Sequence, residues 1–122
     1  AYFRERAEGD VGLIVTGGIA HAFSGSRQQA DEFIKLGFKL GFGGAMSFTR
    51  ATRLRELAAT LPLYAIVLET DAPDMAPAMH PQQRNSPEHL ADICTALAAL
   101  RDVSPQQLAS ASSRNAMQLF GW

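Results

Sequence analysis

The sequence lacks the features that would place it in a membrane or in an oxidising compartment. It has one cysteine, Cys94, which has no partner within the chain for a disulfide bond. No apolar run approaches the roughly 18 residues that a membrane-spanning helix needs, and no signal-peptide pattern occurs near Ala1. We therefore expect a cytoplasmic protein that has no membrane partner.

The sequence also has no excess of charge of either sign. Its 11 Lys and Arg residues oppose 12 Asp and Glu residues, which gives a net charge of −1 and an isoelectric point near 6.3. A chain without a general positive field contacts nucleic acid only through a local patch or a metal ion. The length of 122 residues and the hydrophobic content of 47% are typical of one globular domain.

The apolar periodicity predicts strands that alternate with amphipathic helices. Ser26 with Gln29 has the capping-box pattern of a helix start, and Ser86-Pro87 and Ser104-Pro105 each place a cap before a proline. Since Ala1 is not a methionine, we expect the chain to begin within an element. The predicted elements are the end of a helix at residue 9, strands ending near 21–23 and covering 38–44 and 64–68, helices at 26–37 and 49–61, a loop at 72–85, and two helices that begin at 86 and 104.

This order predicts right-handed βαβ units and a parallel sheet, so the fold class is α/β. Three parallel strands form an arc rather than a closed barrel. An arc has open strand edges, which are templates for pairing with another chain. We therefore expect self-association or the binding of a partner.

The segment from Tyr64 to Pro73 is the centre of the predicted fold. Its five apolar residues, 64–68, suit a strand that is buried on both faces. Glu69 and Asp71 follow, and in α/β folds the functional groups lie at this carboxyl end. Two residues apart on an extended segment, they should point the same way, with Thr70 opposite. The alternative is that Asp71 caps a helix or forms a turn, although Pro73 disfavours a helix there.

Several segments together resemble the TatD family of metal-dependent deoxyribonucleases and related hydrolases. Their order and spacing match the carboxyl-terminal half of the family, and the resemblance covers nearly all of the chain from His21 onward. The segments are His21-Ala22-Phe23-Ser24-Gly25-Ser26, Gly41-Phe42-Gly43-Gly44, Leu68-Glu69-Thr70-Asp71-Ala72-Pro73, Arg84-Asn85-Ser86-Pro87, and Asn115 with Leu119-Phe120-Gly121.

The resemblance implies a partial TIM-type barrel with two divalent metal ions at the carboxyl ends of its strands. It implies that His21 is a ligand of one metal, and that Asp71 binds the other metal and helps to activate the attacking water. The family's remaining ligands, an early His-x-His pair, a glutamate and a further histidine, lie N-terminal to the part matched here. This sequence has no His-x-His and no histidine before His21. We therefore expect residues 1–122 to form one domain, the carboxyl-terminal part of such a barrel.

The other candidate residues each have a structural alternative. Ser24 opens a helix, and a phosphate at that helix start is the second interpretation. Glu69 either orients its neighbours around the metal site or pairs with a basic residue. Arg84 either holds a phosphodiester or is a solvated loop charge, and Asn85 either fixes the loop or contacts substrate. His80 is expected to be solvated and His89 to be structural.

The resemblance implies hydrolysis of phosphodiester bonds in DNA, single-stranded or at its ends, by metal-activated water. The metal, whether Mg, Mn or Zn, is left open, and the isolated chain is expected to be inactive or nearly so because ligands are missing. One alternative is a metal-dependent hydrolase of a small amide or ester. Another is a non-catalytic α/β fragment that acts by self-association. A DNA-reading helix-turn-helix is disfavoured because there is no basic recognition face.

Overall fold

A computed structural model describes residues 18–121. The predicted helix end at Gly9, and the part of the first strand before Gly18, lie outside these residues. The described part contains three strands and four α-helices. In chain order they are β1 (Gly18–Ala20), α1 (Arg27–Lys35), β2 (Phe38–Phe42), α2 (Thr52–Thr60), β3 (Ile66–Leu68), α3 (Leu90–Arg101) and α4 (Pro105–Phe120).

The strands form one parallel sheet in the order β1-β2-β3. Ala20 pairs with Leu40, and Leu40 pairs with Ile66, so the three strands are in register across the sheet. The predicted α/β class and the arc of three parallel strands are confirmed. All three strands end at the same edge, which brings residues 21, 43 and 69 into one neighbourhood.

The helix starts follow the local sequence signals. Ser26 accepts from the backbone N–H of Gln29 and the Gln29 side chain accepts in return, so the predicted capping box is present. Ser104 and Gln107 form the same reciprocal pair at the start of α4. Gly37, with a φ of 86°, follows α1 in the left-handed conformation that favours glycine.

Several predicted boundaries are wrong by two or more residues. The helix predicted to reach residue 37 ends at Lys35, and the helix predicted to begin at 86 starts as a 3₁₀ turn, Pro87–His89, with α3 beginning only at Leu90. The helix α2 begins at Thr52 rather than 49, because a bond from Ala51 N–H to the Phe48 carbonyl closes a turn first. The strand β2 ends at Phe42, and a short 3₁₀ helix takes Gly44–Ser47. The strand β3 begins only at Ile66, since Leu63–Ala65 forms a 3₁₀ turn closed by a bond from Ala65 N–H to the Pro62 carbonyl. Tyr64 is consequently 62% exposed instead of lying in a buried strand.

The core lies between the sheet and the helices and consists of aliphatic and aromatic side chains. Its fully buried members include Leu40, Phe42, Ile66, Ile93 and Leu97. Two large apolar side chains of α3 and α4 lie outside this core, since Leu90 is 39% exposed and Phe120 is 54% exposed. Both line an open groove of about 710 Å³ between β3, α3 and α4. No described element covers this groove.

The outer edge of β3 is covered by α4, which corrects the prediction of an open edge there. Because the backbone hydrogen-bonding direction alternates along a strand, the N–H and carbonyl groups of Ile66 and Leu68 point away from β2. The Leu68 N–H donates to Ser112 Oγ at 3.0 Å, and Asn115 Nδ2 donates to the Ile66 carbonyl at 2.7 Å. These side chains occupy the positions that a further strand would need. Within residues 18–121 there is also no helix that is both long and apolar enough to span a membrane.

Candidate metal centre

Three predicted site residues meet at the carboxyl edge of the sheet. His21 follows β1, whereas Glu69 and Asp71 follow β3. The Nε2 atom of His21 lies 2.9 Å from Oδ1 of Asp71, and its Nδ1 atom lies 2.9 Å from Oε2 of Glu69. The parallel sheet thus brings together residues that are about 50 positions apart in sequence, and the imidazole lies between two carboxylates.

The backbone at this site is not extended, contrary to the prediction for Asp71. Asp71 has a φ of 59° and Ala22 a φ of 47°, so both lie in the left-handed region. Aspartate tolerates this conformation better than most residues, and a turn closes where the Asp74 N–H donates to the Asp71 carbonyl at 3.0 Å. Glu69 and Asp71 still face the same histidine, but a turn rather than the alternation of a strand directs the second carboxylate there.

Glycines on β2 make room for the Glu69 carboxylate. A Cβ atom on Gly41 would lie 2.6 Å from the carboxyl carbon of Glu69, and one on Gly43 would lie 2.9 Å from its carbonyl oxygen. The released space lets Glu69 accept from His21 and from the backbone N–H of Ala22. Sequence reasoning missed this role of Gly41, although a glycine inside a strand is itself a signal of close approach.

Gly44 allows a second close approach, between the backbone after β2 and the loop that follows Asp71. A Cβ on Gly44 would lie 2.7 Å from the Met75 carbonyl oxygen and 2.9 Å from Cα of Pro77. The loop that follows Asp71 therefore packs directly on the backbone that follows β2. Ser47 holds it there by accepting from the Ala78 N–H at 2.8 Å.

The two carboxylates favour the charged form of His21. The hydrogen bond and the charge of Glu69 are the largest causes that raise the pKa of His21, desolvation lowers it in part, and the smaller effects of Asp71 raise it further. A charged imidazole has an N–H on each ring nitrogen, so carboxylate oxygens 2.9 Å from both nitrogens suit the imidazolium form.

The donor set suits a divalent ion but is small. His21 Nε2 and Asp71 Oδ1 are adjacent atoms of the nitrogen and oxygen types that divalent metals bind. Glu69 contacts the opposite ring nitrogen, so it orients the imidazole and cannot share an ion with Nε2. Among residues 18–121 there is no cluster of three or more His, Cys, Asp or Glu side chains arranged around one metal position.

The remaining predicted site residues, Ser24, Arg84 and Asn85, differ in exposure and in what they contact. Ser24 is exposed and lines a small cavity of about 90 Å³ together with Glu69 and Asp71. Arg84 is exposed on the loop. Asn85 is 2% exposed, and its amide bonds to the backbone around Asp71, a geometry that favours the loop-fixing interpretation over direct substrate contact.

The histidines of the loop and of the helix after it pack together. His80 was predicted to be solvated, and this is wrong: its ring stacks on His89 with centroids 3.9 Å apart, and its Nε2 lies 2.6 Å from Oδ2 of Asp92. His89 is 6% exposed, in agreement with its predicted structural position. A 12-residue helix, α3, thereby anchors the loop.

Comparison with known proteins gives one family over nearly the whole chain. The family model described as TatD related DNase matches residues 3–121. The chain is 43% identical over 103 residues to the uncharacterized metal-dependent hydrolase YjjV of Escherichia coli, covering 84% of this chain and 40% of that protein. It is 37% identical over 110 residues to the 3'-5' ssDNA/RNA exonuclease TatD of Citrobacter rodentium, covering 86% and 42%.

Solved structures agree with the fold. The crystal structure of YjjV, a TatD homolog from Escherichia coli, matches with a TM-score of 0.80 and 42% identity over 86% of this chain and 40% of that chain. A TatD family hydrolase of Entamoeba histolytica matches with a TM-score of 0.73 over 95% of this chain and 45% of its own, and at 18% identity it bears on the fold alone. The chain spans about 40% of the length of the curated relatives that it matches.

Proposed function

The chain belongs to the TatD family of DNases, and on this basis we propose that it is the carboxyl-terminal part of a metal-dependent hydrolase that cleaves phosphodiester bonds in nucleic acid. One observation carries the proposal. His21 Nε2 and Asp71 Oδ1 lie 2.9 Å apart at the carboxyl edge of a parallel sheet, where α/β barrels place their reactive groups. The names of the relatives as metal-dependent hydrolases support it.

The proposal assigns a separate role to each side chain at the edge. Although the resemblance assigns His21 and Asp71 to different metals, their donor atoms lie close enough to share one ion. His21 Nε2 and Asp71 Oδ1 would both bind this ion, and Asp71 would also take a proton from water. Glu69 holds the imidazole in place by accepting from Nδ1. A divalent ion at this position would lower the pKa of a bound water to about 7 and neutralise phosphoryl charge.

Two donors do not complete a hydrolytic site, which takes three or more protein ligands. A complete two-metal centre therefore needs ligands beyond those that residues 18–121 bring together. We propose that residues 1–122 supply one wall of this centre and that the isolated chain is inactive or nearly so. Whether the ions are magnesium, manganese or zinc is not fixed by one imidazole and one carboxylate.

The substrate class that we propose is single-stranded DNA or DNA ends. The relative from Citrobacter rodentium is named an exonuclease for single-stranded DNA and RNA. Ser24 and Arg84 are both exposed, so a hydroxyl and a guanidinium are available to phosphate groups. The net charge of −1 supplies no general attraction, so binding would depend on these local groups and on the metal.

The metal assignment is tested by titrating Mn²⁺ into the purified chain and three variants by calorimetry. Asp71→Asn and His21→Ala each remove one proposed donor, whereas Asp74→Asn is the matched control, since it removes the same charge from an exposed position three residues away. We expect wild type and Asp74→Asn to bind weakly, because two protein donors are fewer than a tight site uses, and we expect the other two not to bind. Equal binding by all four, or none by wild type, overturns the assignment.

The fragment assignment needs a separate assay. We expect a labelled single-stranded oligonucleotide to stay intact, or nearly intact, when it is incubated with the chain and Mn²⁺. Ready cleavage that disappears in Asp71→Asn would contradict the statement that the isolated chain is inactive, and would mean that its own residues form a working centre.

A further inference from the structure

The side chain of Asn85 is buried and joins both sides of the Asp71 turn. It is 2% exposed. Its Nδ2 donates to the carbonyl oxygen of Thr70 and, at 2.6 Å, to that of Asp74. Its backbone N–H donates to the Pro73 carbonyl at 3.0 Å. One residue thus binds carbonyl groups immediately before and shortly after Asp71, the position with the left-handed backbone.

A backbone donor at the other end fixes the orientation of the Asn85 amide. Its Oδ1 accepts from the Ser86 N–H at 2.9 Å and lies 3.0 Å from Nδ1 of His89. The Ser86 N–H also lies 3.4 Å from Nδ1 of His89. All the neighbours of Nδ2 are carbonyl oxygens, whereas Oδ1 accepts from a backbone N–H. The site therefore fits an amide in one orientation, and a carboxylate at residue 85 would face two carbonyl oxygens.

The histidine stack connects this amide to α3. His80 lies face to face with His89, with 6° between the ring planes. The second contact of His80 is with Asp92, in the first turn of α3, at 2.6 Å. The Asn85 amide is therefore connected through these contacts to α3 as well as to the loop.

From these contacts we infer that Asn85 is a positioning residue for Asp71, and that it acts through the backbone without touching substrate. This inference rests on the proposed function, in which Asp71 is a metal ligand. The left-handed conformation is unfavourable for a residue that carries a side chain, and it persists where the surroundings determine it. Without Asn85 the turn is free to return to ordinary backbone angles, and Asp71 Oδ1 leaves its place beside His21 Nε2. Asn85 therefore preorganises the two donors.

The chain offers a matched control for the experiment. Asn115 is 6% exposed, and its Nδ2 also donates to two carbonyl oxygens, those of Leu63 at 2.9 Å and Ile66 at 2.7 Å. Asn85→Ala and Asn115→Ala therefore remove the same chemistry from opposite ends of β3. Only the first change acts on the Asp71 turn.

The first measurement is amide hydrogen exchange by NMR in the metal-free chain. The reporter is the Asp74 N–H, which donates to the Asp71 carbonyl, and its rate is divided by that of the buried Leu97 amide in the same variant. We expect this ratio to rise at least about tenfold in Asn85→Ala and to stay at the wild-type value in Asn115→Ala. A ratio that rises equally in both variants, or in neither, overturns the inference.

The second measurement is the affinity for Mn²⁺ by calorimetry. We expect binding at least about tenfold weaker in Asn85→Ala and within about twofold of wild type in Asn115→Ala, since Asp71 is displaced only in the first. If wild type binds no Mn²⁺, the metal assignment fails for the isolated chain, while the exchange ratio still decides the role of Asn85. Should circular dichroism show that Asn85→Ala is unfolded, Asn85→Ser, which fills more of the space but cannot reach both carbonyls, is measured in its place.

Discussion

The sharpest prediction concerns the contact between Gly41 and Glu69. A Cβ atom at residue 41 would lie 2.6 Å from the carboxyl carbon of Glu69, against the roughly 3.5–4.0 Å of an ordinary carbon contact. Since Gly41 is fixed in the central strand, we expect the carboxylate to move. It then loses its bonds to His21 and to the Ala22 N–H.

The size of the effect follows from these bonds. The bond from the Ala22 N–H to the Glu69 carboxylate contributes about 1.5–3 kcal/mol net, whereas the bond to the solvent-exposed His21 side chain is screened by water and adds little. Replacing glycine by alanine in a strand returns about 0.5–1 kcal/mol through lower chain entropy. We therefore expect Gly41→Ala to lower the free energy of unfolding by about 1–2 kcal/mol, or the melting temperature by about 4–8 °C in a domain of this size.

A double-mutant cycle separates this contact from a general effect on the strand. Urea unfolding is measured for wild type, Gly41→Ala, Glu69→Ala and the double variant, all with a chelator present. With the carboxylate gone, we expect Gly41→Ala to cost nothing or to stabilise slightly, which gives a coupling energy of about 2 kcal/mol. The same cost in both backgrounds would refute the reasoning, because the clash would then not be with Glu69.

Two further predictions concern pH and the core. With a chelator present, His21→Gln should lower the melting temperature more near about pH 5.5 than near about pH 8.5, because folding raises the pKa of His21 above 6.5. The stability that charged His21 contributes is complete below the pKa of the unfolded chain and is lost as the pH rises through the pKa of the folded chain. Equal losses at both pH values would contradict this. Leu97→Ala should lower the free energy of unfolding in urea by about 2–5 kcal/mol, because Leu97 is 0% exposed. Leu90→Ala, at a residue that is 39% exposed, should lower it by less than about 1 kcal/mol. Similar losses in the two variants would contradict the description of the core.

The contact between α4 and β3 bears on how the sheet could be extended. Ser112 and Asn115 satisfy an N–H and a carbonyl that face away from β2. An added strand would have to displace these side chains before it could pair, so pairing at this edge costs existing hydrogen bonds. Self-association through the edges of the sheet stays a prediction. Pairing with β3 is less favourable than pairing with an uncovered strand would be.

Element type was predictable because local signals agreed with the tertiary structure. The reciprocal pair at Ser26 and the cap at Ser104 both mark true helix starts. The β2 and β3 segments were recognised, but their ends were misplaced by two residues. Such ends depend on single turn hydrogen bonds, as at Pro62 and Ala65, and a hydrophobic run carries no information about them.

The sequence by itself determined that His21, Glu69 and Asp71 lie at strand ends, because hydrophobic runs stop before them and parallel strands end at one edge. Only the tertiary structure decided how they meet. The left-handed turn at Asp71, the space over Gly41 and the buried amide of Asn85 depend on contacts between segments far apart in the chain. Periodicity reports which face of an element is apolar. The direction of a side chain beyond the end of a strand is set by hydrogen bonds and steric limits that exist only after the sheet, the loop and α3 have packed together.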